Sequence, residues 1–307
     1  MNIDSLVQRM LMLLLIIAVG YAARKTKLFN EQGIEAISKL TVDVCIGALI
    51  LGSVMNIECR LSKAEILILI AASFGAHLIM YAISLLVPIL LRAPKQKRGI
   101  YHCMGTFGNC GFMGYPVVAS LMGAEHVIYA AIFTIPFNLM CFSLGAYMVS
   151  SKEKRLKLNL KSFINTPLIA SLLALIIVML NIKVPEVIAQ TARTIGDITV
   201  PASMLVIGGT LAGSRLSKVF SDFRIYVFTV FRLLIMPIAV YYILGLIIEN
   251  DIILAICTVL SAMPVATAST MMAYSYGGDA ELASKGVFMT TILSAVTIPF
   301  VVSLLLL

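Results

Sequence analysis

The chain has 307 residues, of which 60% are apolar and 12% are charged. Soluble domains carry about 45–50% apolar and about 25% charged residues; their surfaces need that charge. A soluble enzyme, a disordered tail and a nucleic-acid module are therefore excluded, and the net charge of +8 reads as orientation in a bilayer rather than affinity for nucleic acid.

A spanning helix needs about 20 mostly apolar residues. Polar clusters divide the chain into ten such segments, at about 6–23, 34–55, 64–91, 99–120, 125–149, 161–180, 187–213, 223–248, 251–276 and 283–306. The first, Leu6 to Ala23, precedes no small-residue cleavage site and reads as a spanning helix rather than a secretory signal. The second carries Lys39 and Asp43, and the third carries His77. The seventh carries Arg193 and Asp197, and the eighth Arg232. The fourth and ninth are rich in Gly, Pro, Ser and Thr and are the weakest as helices. Six cysteines show no CxxC pair or zinc-type spacing and read as small apolar filler, so no metal and no cofactor is implied.

Loop charge supports the count. The first, third, fifth, seventh and ninth connections hold 16 Lys and Arg; the chain start and the other connections hold four, Arg9, Arg60, Lys63 and Lys183. Lys and Arg collect on the cytoplasmic side. The basic loops are expected in the cytoplasm and both termini outside.

Five spans precede the basic loop at 151–160 and five follow it, so 1–150 and 161–307 are expected to be inverted repeats. Lys39 and Asp43 are offset by 154 from Arg193 and Asp197. His77 and Arg232 are offset by 155, as are Gly123 and Gly278. The expected fold class is all-α integral membrane: ten transmembrane helices in two inverted five-helix repeats. Repeats of this kind mark secondary transporters, with the substrate near the midplane.

The fourth span reads GTFGNCGFMGYP from Gly105 to Pro116, with a glycine at every third position and Asn109 in its middle. The ninth has Pro264 in its middle, 155 residues after Asn109, followed by Thr267, Ser269 and Thr270. Gly and Pro disfavour a continuous helix. Backbone groups freed at membrane depth are tolerated only inside protein or along a wet cavity, and half-helix N-termini suit anions. The same place in each half is broken, which points to a binding site.

At these residues the chain resembles the auxin efflux carrier family of membrane transporters, in its short bacterial form. The resemblance covers the whole chain and rests on Asn109, Gly111, Gly114 and Pro116, with Pro264 as its second element. It implies that helices 4 and 9 unwind and cross. It also implies a dimerising scaffold of helices 1, 2, 6 and 7, a moving transport domain of helices 3–5 and 8–10, and residence in the plasma membrane (the bacterial inner membrane). The family exports plant auxin, and bacterial members are associated with malate, malonate and similar carboxylates. The chain departs from the large plant carriers in lacking their long cytoplasmic loop.

Charges within spans usually face the protein interior or a cavity. Lys39 with Asp43, and Arg193 with Asp197, can pair at four-residue spacing, either as proton-titrating pairs or as ion pairs locking scaffold helices. Arg232 has no partner in its own helix; it can neutralise a carboxylate or cap helix-end carbonyls. His77 can relay protons or serve only as a hydrogen-bonding residue.

The sequence reading is thus a secondary transporter of a small organic anion, a carboxylate such as malate or an auxin-like acid, working by alternating access. Asp43, Asp197 and His77 are candidates for proton coupling; Asn109, Gly111, Gly114, Pro116, Pro264, Thr267 and Ser269 for the substrate site. A sodium-coupled symporter stays open, with Asn109, Thr267 and Ser269 as ligands. A cation/proton antiporter needs carboxylates at the breaks, and none lies between Gly105 and Pro116 or between Leu260 and Gly278. HExxH, GxSxG and P-loop patterns are absent from the sequence, which argues against an enzyme. A non-transporting receptor is the alternative of a different class.

Overall fold

A computed structural model of the protein describes residues 3–55, 61–150, 166–180, 182–213 and 222–306. Regular elements among the described residues are helical, and extended backbone pairs only at an isolated antiparallel bridge, Gly108 to Val265. Four helical stretches there are long and apolar enough to cross a bilayer: Lys63–Leu90, Ala124–Val149, Phe223–Gly245 and Ala280–Leu306. Their outward faces are apolar. Lys63–Leu90 exposes Leu67, Leu78, Leu86 and Leu90 while burying Ser73, His77 and Ser84. Apolar residues outside and polar residues inside is the arrangement a lipid solvent selects. This is an integral membrane protein.

In chain order, α1 is Ile3–Lys25, α2 Glu31–Leu40, α3 Ile46–Gly52, α4 Lys63–Leu90, α5 Lys95–Thr106 and α6 Tyr115–Met122. There follow α7 Val127–Met140, α8 Ala146–Val149, α9 Thr166–Met179, α10 Glu186–Asp197 and α11 Thr199–Gly213. The last five are α12 Phe223–Val230, α13 Met236–Gly245, α14 Asp251–Ser261, α15 Ala268–Tyr276 and α16 Ala280–Leu306. Wider π turns interrupt four of the predicted spans, at Thr41–Cys45, Cys110–Gly114, Cys141–Gly145 and Phe231–Ile235.

Local chemistry sets several helix ends. Asn30 accepts from Gly33 N at 2.7 Å and opens α2. Asn250 accepts from Ile252 N and Ile253 N and opens α14. Such caps satisfy amides the helix leaves orphaned. At the other ends, Gly123 closes α6 with φ +108° and Gly277 closes α15 with φ +75°, a region glycine enters without steric cost.

The described residues fall into two compact units, one drawn from 1–68, 111–135 and 164–215, the other from 69–110, 136–163 and 216–307. In the first, α1 packs along α11 so closely that a Cβ on Gly208 would overlap the Ile17 carbonyl. Small residues at such seams let helix backbones approach, the main source of packing energy between membrane helices. The second unit contains most of α4, α5, the end of α7, α8, and α12 to α16. Ala262, Val301 and Leu305 form one apolar cluster there with Leu234, Ile238 and Tyr241.

Candidate functional site

Both halves of the predicted fourth and ninth spans are helical, and both centres are not. Helix α5 ends at Thr106, and Phe107 turns extended, with φ −107° and ψ 112°. Helix α14 ends at Ser261, and α15 begins at Ala268. The two interruptions face each other inside the second unit. Asn109 N donates to the Pro264 carbonyl at 2.7 Å, and Ala266 N donates to the Phe107 carbonyl at 3.0 Å. A third freed amide, Val265 N, donates to Thr290 Oγ1 at 3.1 Å. Each break thus satisfies backbone groups of the other, as the absence of water at membrane depth requires. Pro264 has no N–H to offer, so its carbonyl carries the pairing.

Arg232 lies at this junction. It is fully buried, within the π turn Phe231–Ile235. Its Nη1 donates to the Ser261 carbonyl, the last residue of α14, at 2.8 Å, and also approaches Met80 Sδ at 3.6 Å. A cation there meets the negative end of the helix dipole. Its Nη2 reaches the first break so closely that a Cβ on Gly108 would overlap it. Nε and Nη2 have no hydrogen-bond partner among the described residues. Asn109, one residue along, is buried, and no hydrogen bond from another described residue holds its carboxamide.

His77 is also buried in this unit. Its Nδ1 lies 2.6 Å from the Ser73 carbonyl, which places the proton on Nδ1. Its ring packs 6.1 Å from Phe107 and 5.8 Å from Phe137. Ser269 is buried and accepts a hydrogen bond from Cys103 Sγ at 3.6 Å, so it faces α5, whereas Thr267 is exposed. Five cysteines, Cys45, Cys103, Cys110, Cys141 and Cys257, are free and buried.

The remaining candidates belong to the first unit. Gly114 and Pro116 are buried, and Pro116 follows the π turn Cys110–Gly114 directly, where the helix already departs from the regular α ladder that a proline interrupts. Gly111 has open space where a Cβ would point. The expected ion pairs are not formed among the described residues. Lys39 and Asp43 are both exposed, and neither pairs with another described residue. Arg193 passes over Asp197, reaching back to Glu186 Oε1 at 3.5 Å and donating to the Met55 carbonyl at 2.6 Å. The reason is directional: helical side chains lean towards the N-terminus, so a base four residues before an acid leans away from it. Where the acid comes first the pair forms, as between Glu281 and Lys285 at 2.8 Å.

The model of the membrane transport protein family, the auxin efflux carriers, matches residues 5–159 and 151–302. The chain belongs to this family. Among its relatives is an uncharacterized transporter of Methanothermobacter thermautotrophicus, 26% identical over 303 residues, covering 95% of this chain and 96% of the relative. Another is the uncharacterized transporter MJ1031 of Methanocaldococcus jannaschii, 23% identical over 299 residues, covering 94% and 95%. The uncharacterized transporter YfdV of Escherichia coli K12 is 21% identical over 295 residues, covering 89% and 91%.

For a member of the auxin efflux carrier family the junction contains two residues that sequence reading passed over. Gly108 was one glycine in a run of four, with nothing to mark it as the contact of Arg232. Thr290 was one hydroxyl in an apolar span. A threonine well inside such a segment is the only trace of its role, since a hydroxyl at that depth needs a partner.

Proposed function

We propose that this membrane transport protein is a secondary carrier of a small organic anion, a carboxylate of the malate or auxin-like kind, and that it works by alternating access. Ten spans in two inverted repeats would bring broken helices 4 and 9 to a crossing at the midplane. Helices 1, 2, 6 and 7 would form the scaffold, which dimerises, and helices 3–5 and 8–10 the moving domain. One compact unit gathers α1 to α3 with α9 to α11, which supports that grouping of the scaffold, and it also takes in α6 and most of α7 from predicted helices 4 and 5.

The observation that carries the reading is the mutual hydrogen bonding of the two breaks, Asn109 N to Pro264 O and Ala266 N to Phe107 O. Interrupted backbone joined in this way is costly to build from ordinary helix and serves to present polar groups in the membrane interior. The buried carboxamide of Asn109 has donors and an acceptor for a polar cargo.

The test is uptake into liposomes holding the purified protein, with dicarboxylates and aromatic carboxylates offered under an imposed pH gradient. Saturable carboxylate flux is expected, and its response to the gradient reports proton coupling. Asn109→Ala is expected to abolish saturable uptake while eluting as folded protein. Undiminished uptake in that variant would remove the junction from the transport path.

A further inference from the structure

We infer that Arg232 is the resident cation of this site and that its unpartnered Nε–Nη2 edge is a carboxylate fork, so that cargo binds through a carboxylate group without a metal ion. The inference rests on the anion-carrier reading above and names the group that recognises the cargo.

The guanidinium has two kinds of contact. Nη1 is committed to the protein through the Ser261 carbonyl at 2.8 Å. Nε and Nη2 are buried and have no partner among the described residues. These two nitrogens lie on one edge of the planar group, and their N–H bonds run parallel. That edge matches the two oxygens of a carboxylate, giving the paired, charge-assisted contact that arginine forms and lysine does not. Helix capping accounts for Nη1 and leaves the edge unexplained.

Charge makes the same point. A buried cation is normally paired. Among the described residues of the second unit, the acids are Asp222, Glu249, Asp251, Asp279 and Glu281, all at helix ends or in connections. Among the described residues none forms an ion pair with Arg232. Among the described residues no carboxylate supplies the counter-charge, and an anionic cargo would supply it. The unpartnered edge also lies beside the first break. Nη2 abuts Gly108, and Asn109, with its unheld carboxamide, follows directly. The carbonyl end of α14, which a coupling sodium ion would seek, already has a cation.

The test uses purified full-length protein in detergent, with sodium replaced by choline. Malonate, succinate and benzoate are titrated calorimetrically, each beside its amide. At least one acid is expected to bind, and its amide about tenfold more weakly or worse, because the amide lacks the charge and the second acceptor. Affinity is expected to stay within about twofold when sodium replaces choline. Arg232→Lys keeps the charge and removes the fork, so binding should fall by about tenfold or more. Amides that bind as well as acids, an absolute need for sodium, or full affinity in folded Arg232→Lys would each overturn the inference. If Arg232→Lys does not fold, the acid–amide and sodium comparisons on the wild type decide alone. Wild-type protein that neither binds nor moves any carboxylate would sink the anion-carrier reading itself. Carboxylate transport that ignores Arg232→Lys would sink only the fork.

Discussion

At the scale of the residue, the glycines of the fourth span are not equivalent. A Cβ on Gly108 would overlap Nη2 of Arg232, while one on Gly111 would meet nothing within 4 Å. Overpacking a tight site costs about 1–3 kcal/mol, and alanine is favoured over glycine in helix by about 1 kcal/mol. Gly108→Ala is therefore expected to lower thermal stability in detergent and displace the guanidinium, whereas Gly111→Ala should match or exceed the wild type. Thermal unfolding of the two variants checks this; equal losses would show that the run acts through backbone flexibility instead. The residue scale is also where sequence is least informative. Arg232 stands out as a lone arginine in an apolar span, but its contacts at Ser261 and Gly108 lie 29 and 124 residues away along the chain. Composition carries no trace of such distances. The four-residue spacing of Arg193 and Asp197 suggested a pair, and side-chain direction, which spacing does not encode, sent Arg193 to Glu186.

At the scale of the element, the breaks were legible because glycine, proline and hydroxyl residues concentrate in two otherwise apolar segments. The π turns were not: each inserts one residue into a helix, and although three of them hold Asp43, Gly111 with Gly114, or Arg232, none of these residues signals the insertion. The ends of the broken helices are tied down outside the apolar spans. Asp279 accepts from Leu282 N at 2.9 Å, opening α16, and pairs with Lys97 Nζ in the first turn of α5 at 2.9 Å. Burial pushes the Asp279 carboxyl up, but the Leu282 amide, Lys97 and Lys285 together outweigh it and hold the group below its ordinary value. The folded form therefore holds this proton less tightly than the unfolded chain does. The resulting stability is fully present above the unfolded value of about 3.9 and is lost as pH falls through the lower folded value. Asp279→Asn keeps an oxygen for the Leu282 amide and removes the charge. Because Lys97 is half exposed, the pair contributes no more than about 1 kcal/mol. The wild type should exceed Asp279→Asn in thermal stability near pH 6, and the gap should close towards pH 3. A gap that persists in acid would show that the effect does not come from the charge.

At the scale of the whole molecule, the alternation of loop charge and the contacts of the second unit bear on one topology. Sixteen Lys and Arg fall in alternate connections, against four at the chain start and in the others. Lys97, before the fourth predicted span, meets Asp279, before the tenth, at 2.9 Å, so those two connections share a face. Arg224 Nε, before the eighth, donates to the Leu91 carbonyl at the end of the third at 3.1 Å, which adds a further connection to the same face. Three of the five basic connections are thus joined by direct contacts, and each contact links connections that an even number of spans separates. Losing or gaining one span between 98 and 279 would put Lys97 and Asp279 on opposite sides of the bilayer. Basic connections are expected in the cytoplasm, so both termini of a ten-span chain should face outward. A C-terminal alkaline phosphatase fusion in a bacterial host is expected to be active, and a C-terminal green fluorescent protein fusion dark. The fluorescent reporter inserted in the central basic connection should be bright. A bright C-terminal fusion would require an odd number of crossings between that connection and Leu307 to become even, and the inverted repeat would fall with it.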